Sequence, residues 1–600
     1  MCGIAGIWRY NNSKVSSREI KAMTDTIAHR GPDGEGLWLS EDEQIALGHR
    51  RLSIIDLSDN AKQPMVLDER YIITFNGEIY NYIELRDNLK QKGVKFRTES
   101  DTEVLLNAYR LWGENCLKEL DGMFAFVIYD QLEKKLFCAR DRFGEKPLYY
   151  YQENGQFVFA SEMKAVFAAG IEKEVNSKML YNYLRYDVIE NPHDKSETFY
   201  NAIRQLPASY FLTIDWKGEK TIKKYWDIDV NHRIELSESA AINQFKNLFF
   251  ESVKRRMRSD VAVGSSLSGG VDSSSVLAAI RANFPDSILN TFTARFHDKD
   301  YDEGHYVELL RKEIDFENFY CYPSSTQILD DLDKIFYHQE EPFGSTSIIA
   351  QWEVMKLAKE KNTTVLLDGQ GADEVIAGYF KYFLPYLHEI HKKKKSIFKR
   401  ELSAIENHLG TEKHLDASFY YRSSYPKLYN YIAAAARYLR IQRHSHPFHS
   451  DFSDQYRKEP IPFDYAMDLN TSLYYDCFSY GLGKLLRFSD RNAMAHSREV
   501  RLPYLSHKLV EFIFSLPTEM KIQNGWTKYI LRSSMKGHVP SEILFRKDKK
   551  GFQAPASWLR EKKVVDLTVE SFDYLKNKGV LKSCDGINPW QIIMAKKIYS

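Results

Sequence analysis

The stretch Val261-Ala262-Val263-Gly264-Ser265-Ser266-Leu267-Ser268-Gly269-Gly270-Val271-Asp272-Ser273-Ser274 decides the architecture of the second half of the chain. Val261 to Leu267 reads as a short apolar strand and Val271 to Asn283 as a helix, with Gly269-Gly270 as the turn between them. The succession recurs at Thr364 to Leu367, which runs into Leu367-Asp368-Gly369-Gln370-Gly371-Ala372-Asp373-Glu374. Strand, tight turn and helix in repeated order predict a parallel sheet with crossover helices. A glycine-rich turn that opens a helix offers unpaired backbone N–H groups to phosphate. No lysine follows the glycines, so this is not a Walker A loop. The plainer reading of the same residues is a serine-rich helix cap, with Asp272 favouring the helix dipole.

Upstream, the pattern changes. Leu47 to Ile55, Tyr71 to Phe75, Leu148 to Tyr151 and Phe157 to Ala160 read as strands, and Met123 to Tyr129 with Lys135 to Ala139 reads as a hairpin. Helices are expected at Tyr82 to Lys92 and Thr102 to Trp112, each ended by a glycine. This region is expected to be sheets packed together with helices outside them. The polar stretch Asp215 to Leu236 is the expected boundary, giving domains at 2–214 and 237–600. From Phe380 to Arg443 the chain reads as helical, tyrosine-rich and basic.

At 600 residues the chain exceeds what one hydrophobic core supports. Its 43% hydrophobic and 28% charged residues fit a globular protein. The balance of 83 Lys+Arg against 82 Asp+Glu gives no electrostatic reason to expect nucleic acid as a partner. No run approaches the ~18 apolar residues of a membrane span, and the N-terminus lacks the basic region of a secretory signal. The six cysteines are widely scattered, neither a disulfide framework nor a zinc pattern, so a reducing, cytoplasmic setting is expected.

Cys2 follows the initiator Met. Removal of that Met leaves a thiol beside its own α-amine, a base that titrates near ~8 and can take the thiol proton. The opening Cys2-Gly3-Ile4-Ala5-Gly6 is followed in order by His29-Arg30-Gly31-Pro32-Asp33-Gly34, His49-Arg50-Arg51-Leu52-Ser53-Ile54, Asn76-Gly77-Glu78-Ile79-Tyr80-Asn81 and Ser100-Asp101-Thr102-Glu103. These motifs resemble the class II, N-terminal-nucleophile glutamine amidotransferases. The resemblance implies that Cys2 attacks the glutamine amide and that Arg51 binds the substrate carboxylate. It also implies that Asp101 and the Glu78 region hold the ammonium, and that Asn76 and the Gly77 N–H form the oxyanion hole. Asn76-Gly77 also reads as a hairpin turn after the strand that ends at Phe75.

The loop Ser268 to Ser274 resembles the pyrophosphate loop of the ATP pyrophosphatases, and the two halves together resemble the glutamine-hydrolysing asparagine synthetases over nearly the whole chain. That likeness implies an α+β N-terminal domain of two antiparallel sheets sandwiched by helices, followed by an α/β domain. It implies ATP contacts at Leu267, Ser268, Gly269, Gly270, Asp272, Ser273, Ala294, Asp368 and Gly369. Asp272 and Asp373 are the expected Mg²⁺ ligands. Lys549, in Arg546-Lys547-Asp548-Lys549-Lys550-Gly551-Phe552, is the expected cation on the phosphates. The implied reaction adenylates a carboxylate, aspartate first among acceptors, and ammonia travelling through the interior displaces AMP. Relatives often form homodimers. Two residues depart from the family's pattern, Gln370 in place of Glu and Ser506 in place of Asp. They keep open another acceptor, such as a sugar acid or a secondary-metabolite intermediate.

Overall fold

The computed structural model describes residues 2–344, 347–393, 395–409, 447–456, 468–547 and 555–599. Lys549 and the tyrosine-rich stretch from 410 to 443 lie outside them.

The N-terminal region contains β1 (Gly3–Arg9), β2 (Gly34–Leu39), β3 (Ile45–Arg51), β4 (Met65–Leu67), β5 (Tyr71–Ile79), β6 (Gly122–Asp130), β7 (Lys135–Arg140), β8 (Tyr149–Glu153), β9 (Gln156–Ala160), β10 (Arg204–Gln205), β11 (Tyr210–Asp215) and β12 (Lys220–Lys224). They form two six-stranded antiparallel sheets, in the orders β10-β8-β9-β1-β3-β2 and β12-β11-β7-β6-β5-β4. Strand β6 shows why its sequence lacks polar alternation. Ala125, Val127 and Tyr129 pack into the core between the sheets, while Phe124, Phe126 and Ile128 pack outward with residues of the helices Tyr82–Gln91 and Asp101–Trp112. Both faces of the strand are therefore buried, and helices cover the outside as expected.

Asn76-Gly77 is not a turn. Both residues lie inside β5, opposite Ala125 and Phe124 of β6. Gly77 has φ 154°, and a Cβ there would stand 2.1 Å from the Met123 carbonyl oxygen, so the ladder has no room for a side chain. The stretch Asp215 to Leu236 carries β12, whose Lys220–Lys224 run is polar because it is an exposed sheet edge.

The second half builds β13 (Val263–Ser266), β14 (Asn290–Ala294), β15 (Glu317–Cys321), β16 (Val365–Leu367) and β17 (Glu499–Arg501) into one parallel sheet of order β15-β14-β13-β16-β17. The helix Val271–Asn283 follows β13, as the sequence pattern requires. The halves are not packed independently. Residues of the helices Lys562–Asn577 and Pro589–Tyr599, among them Leu575 and Ile593, share a core with Ala5 and Ile7 of β1. Among the described residues no helix is long and apolar enough to cross a membrane.

Candidate active sites

Strand register builds the first site. The pairing of Gly3 with Arg50 brings the start of β1 beside the end of β3, setting Cys2 near Arg51. Ser100 caps the helix Asp101–Trp112, its side chain accepting from the Thr102 N–H at 3.0 Å. Asp101 thus falls in the first turn, where the helix dipole favours a carboxylate. Cys2, Arg51, Gly77, Glu78 and Asp101 wall a single narrow cavity of 30 Å³. Asn76 stands beside it, its Oδ1 accepting from the Cys2 backbone nitrogen at 3.0 Å. Its Nδ2 is buried and has no hydrogen-bond acceptor among the described residues. A free donor next to the thiol is what an oxyanion hole requires.

Backbone carbonyls fix the Arg51 guanidinium: it donates to Ser58 at 2.8 Å and to Asp56. Burial raises the Cys2 thiol above its ordinary range, with nearby positive charge, including Arg51, opposing. A thiol that resists ionisation needs a base at hand, and the α-amine exposed by removal of Met1 would provide it. Burial pushes Asp101 up to about 6, against a hydrogen bond from the Ile79 N–H at 2.9 Å. Burial also raises Glu78 well above the carboxylate range, and the charges of Glu499 and Asp101 add to it. Glu499 is the ionised member of that group: burial works against its charge, but Arg501, whose Nε donates to it at 2.6 Å, helps hold it low. Burial thus raises both carboxylates that line this cavity, and of the two only Asp101 opens a helix, where the dipole favours its charged form.

The second site sits where parallel sheets place ligands. The chain leaves β13 for β14 on one side and returns through β16 on the other, so the ends of β13 and β16 flank a topological switch point. The glycine-rich loop follows β13 and the Asp368–Glu374 loop follows β16, and Ser265 Oγ ties the strands by donating to the Leu367 carbonyl at 3.0 Å. Gly269 has φ 77°, a left-handed turn that suits glycine. Two cavities open here. The larger, 410 Å³, is lined by Leu267, Ser268, Ser273, Ala294, Asp368 and Gln370 among others. The smaller, 180 Å³, is lined by Ser268, Gly270, Asp272, Ser273, Asp368, Gly369, Gln370 and Asp373 together with Glu303, Lys528, Arg532 and Arg546.

Lys528 was not foreseen from sequence. Its Nζ lies 2.7 and 2.6 Å from the two Asp272 carboxylate oxygens and 2.6 Å from Asp373 Oδ1. Burial disfavours its charge, but the two aspartates outweigh that and hold the amine protonated. Arg532, one turn further on, is pushed down to about 10 by burial. The Lys528/Arg532 spacing of four was the only signal in the sequence, and it is common on solvated helices. Arg546, the first residue of the basic stretch, does face the loop: it lies 3.9 Å over the Tyr306 ring and pairs with Glu303. Gln370 lines both cavities, and its buried Oε1 has no hydrogen-bond donor among the described residues. Ser506 lines neither; it precedes the helix His507–Ser515.

A buried seam joins the two sites. Arg30 Nε donates to the Cys2 carbonyl at 3.0 Å, and its Nη atoms reach Asp490 at 2.9 and 3.1 Å and Glu162 at 2.7 Å. Asp490 belongs to the helix Leu482–Ala495, whose Lys484, Leu485 and Phe488 line the larger cavity. Arg501 of β17 lies 3.6 Å from Glu78. The Glu499–Arg501 motif therefore faces the glutamine side of the molecule.

Comparisons with known proteins agree with this layout. The family described as glutamine amidotransferase domain matches residues 1–226, and the one described as asparagine synthase matches residues 244–580. The chain is 34% identical over 572 residues to asparagine synthetase (glutamine-hydrolyzing) 1 of Bacillus subtilis, covering 93% of this chain and 88% of that one. It is 29% identical over 570 residues to asparagine synthetase (glutamine-hydrolyzing) 3 of the same organism, covering 91% and 86%.

Proposed function

The chain belongs to the glutamine-hydrolysing asparagine synthetase family, and from that premise we propose that it transfers the amide nitrogen of glutamine to the β-carboxylate of aspartate at the expense of ATP. Residues 2–214 carry the glutaminase work and residues 237–600 the synthetase work. Cys2 Sγ attacks the glutamine side-chain carbonyl as the α-amine takes the thiol proton. Asn76 Nδ2 and the Gly77 N–H receive the oxyanion. Arg51 holds the substrate carboxylate through its guanidinium fork, and Asp101 the ammonium. Ammonia leaves, and water hydrolyses the glutamyl thioester.

In the second site the Ser268–Ser273 loop cradles the phosphates, with Leu267, Ala294, Asp368 and Gly369 beside the nucleoside. The acceptor carboxylate attacks the α-phosphorus, forming an acyl-adenylate and releasing pyrophosphate. Lys528, Arg532 and Arg546 supply the positive charge this departure needs, and Lys549 is proposed to join them. Asp272 and Asp373 present hard oxygen donors beside the loop, the ligand chemistry that Mg²⁺ takes, and the pair would hold it. When bound, the ion would neutralise charge on the leaving pyrophosphate. Ammonia arriving through the interior then displaces AMP. Water along the route would protonate it and remove its nucleophilicity.

The observation that carries this reading is the single cavity shared by Cys2, Arg51, Gly77, Glu78 and Asp101, in a chain whose other half carries the phosphate loop. The test is AMP and pyrophosphate formation with glutamine, ATP and aspartate. One AMP per asparagine is the expected result. Turnover with another carboxylic acid and none with aspartate would overturn the choice of acceptor.

A further inference from the structure

The larger cavity carries two charged residues away from the phosphate loop. Beyond Leu267, Ala294 and the loop serines, its wall includes Ile189, Ile348, Leu485 and Phe488, and into this apolar stretch come two opposite charges, Lys484 and Asp187. Lys484 sits in the first turn of the helix Leu482–Ala495, half-buried, and makes no hydrogen bond or ion pair among the described residues. An ammonium half-shielded from water and without a partner among the described residues is open to an anionic ligand. Asp187 stands at the exposed mouth, in the left-handed residue that ends the helix Ser177–Tyr186, at φ 58°. Its only side-chain hydrogen bond among the described residues is a long one, 3.4 Å, from Gln591 Nε2. The charge of Lys484 acts on the Asp187 carboxyl, yet the two do not close into an ion pair. A cation and an anion held apart in one cavity match a zwitterion, whose carboxylate and ammonium lie on neighbouring bonds.

We propose that Lys484 and Asp187 read the amino-acid head of the acceptor, Lys484 taking the α-carboxylate and Asp187 the α-ammonium. This inference rests on the aspartate reading given above and deepens it. The carboxylate to be adenylated must face the α-phosphorus beside Ser268 and Ser273, which line both cavities. The other end of a short dicarboxylic amino acid is then left to the part of the wall that carries the charge pair. Specificity follows from the pairing. A substrate without the second carboxylate leaves Lys484 unpaired, and one without the amine leaves Asp187 unanswered. Both are specificity residues, and neither touches the bonds that form or break.

The test uses the full-length enzyme, ammonia as nitrogen source, saturating ATP and pyrophosphate release as readout. Lys484→Met should raise the KM for aspartate by about 10- to 100-fold, the range for losing a hydrogen bond to a charged group. The KM for ATP and the glutaminase rate should stay unchanged, the latter reporting an intact fold. Lys484→Arg should keep most of the affinity. β-Alanine, which is aspartate without its α-carboxylate, should be used equally poorly by the parent and by Lys484→Met. Succinate, which lacks the amine, should be insensitive to Asp187→Asn but sensitive to Lys484→Met. An unchanged aspartate KM in Lys484→Met, or a shift in the KM for ATP instead, overturns the inference while leaving the aspartate reading standing. A parent enzyme that releases no pyrophosphate with aspartate overturns both.

Discussion

The two reaction centres are assembled on opposite principles. The glutamine site is narrow, and apart from Asp101, which opens a helix, its key residues come from the ends and middles of strands whose hydrogen-bonded register fixes them: Cys2 before β1, Arg51 ending β3, Asn76 to Glu78 within β5. The synthetase site is wide, and its lining is gathered from position 187 to position 546, much of it on loops at strand ends. A site written into strand register can be read from short motifs, because each motif carries its own placement. A site gathered from distant loops keeps only its phosphate-binding turn as a local signature, since that turn owes its shape to nearby glycines.

The largest expected effect separates the halves outright. Cys2→Ala should abolish glutamine-dependent synthesis, a loss of about 10⁴-fold or more, because no other thiol lines that cavity. Ammonia-dependent synthesis should persist at the parent rate. Measuring asparagine with each nitrogen source checks it, and equal glutamate release from parent and variant would remove Cys2 as the nucleophile. The reciprocal change is Lys528→Met. Without the amine, Asp272 and Asp373 face the departing pyrophosphate with no lysine between them, and a loss of about 10²–10³ in aspartate-dependent pyrophosphate release is expected. Glutamine hydrolysis should continue. If both variants lost both activities, the seam through Arg30 and Asp490 would couple the sites more tightly than two separable centres allow.

That contrast also explains what was legible in advance. The first domain's hairpin, its helix at Tyr82 and its sandwich of sheets followed from apolar runs and glycine stops, since those elements bury both faces of short, local strands. Asn76-Gly77 also allowed a turn, because local sequence cannot show that β6 lies 2.1 Å from where a Cβ would be. Lys220–Lys224 looked like a linker because an edge strand exposed to water carries no apolar pattern. In the second domain the strand–loop–helix reading held, and Leu267 and Ala294 line the larger cavity while Asp272 and Asp373 line the smaller. Lys528 carries no signal beyond its spacing of four from Arg532. A single lysine in Trp526-Thr527-Lys528-Tyr529 has no distinguishing neighbours, and only the tertiary fold carries it to Asp272, 256 positions away. The same is true of Lys484 and Asp187, and of the C-terminal helices whose apolar faces do not say which core they join.

Within the glutamine site, Arg51→Lys tests how much of the binding depends on a fork rather than a charge. The lysine keeps the charge but loses the paired donors, so the KM for glutamine should rise about 10- to 100-fold with little change in kcat at saturation. A lysine variant with parent KM would mean that the backbone carbonyls of Ser58 and Asp56, not a substrate carboxylate, are what the guanidinium is built for.

The smallest effect is the most particular to this site. Burial holds the Asp101 carboxyl near 6, so it is ionised above that pH and neutral below it. Only the ionised form can pair with the glutamine ammonium, and burial, together with the charges of Glu499 and Asp101, also works against the charged form of Glu78. The sign is therefore fixed: kcat/KM for glutamine should fall by about tenfold for each pH unit below roughly 6, since that ratio reports ionisations of the free enzyme. Saturating glutamine draws Asp101 into its charged form, so kcat should hold to lower pH than kcat/KM does. Asp101→Asn should lower kcat/KM at neutral pH and flatten this limb, because the group that titrates is gone. The synthetase half, assayed as aspartate-dependent pyrophosphate release, has its own buried carboxylate in Asp368, also pushed up to about 6, so its pH profile should be left unchanged by Asp101→Asn. A limb that survived Asp101→Asn would belong to another group in the buried set around Glu78, Glu499 and Arg501, and the ammonium site would have to be redrawn around it.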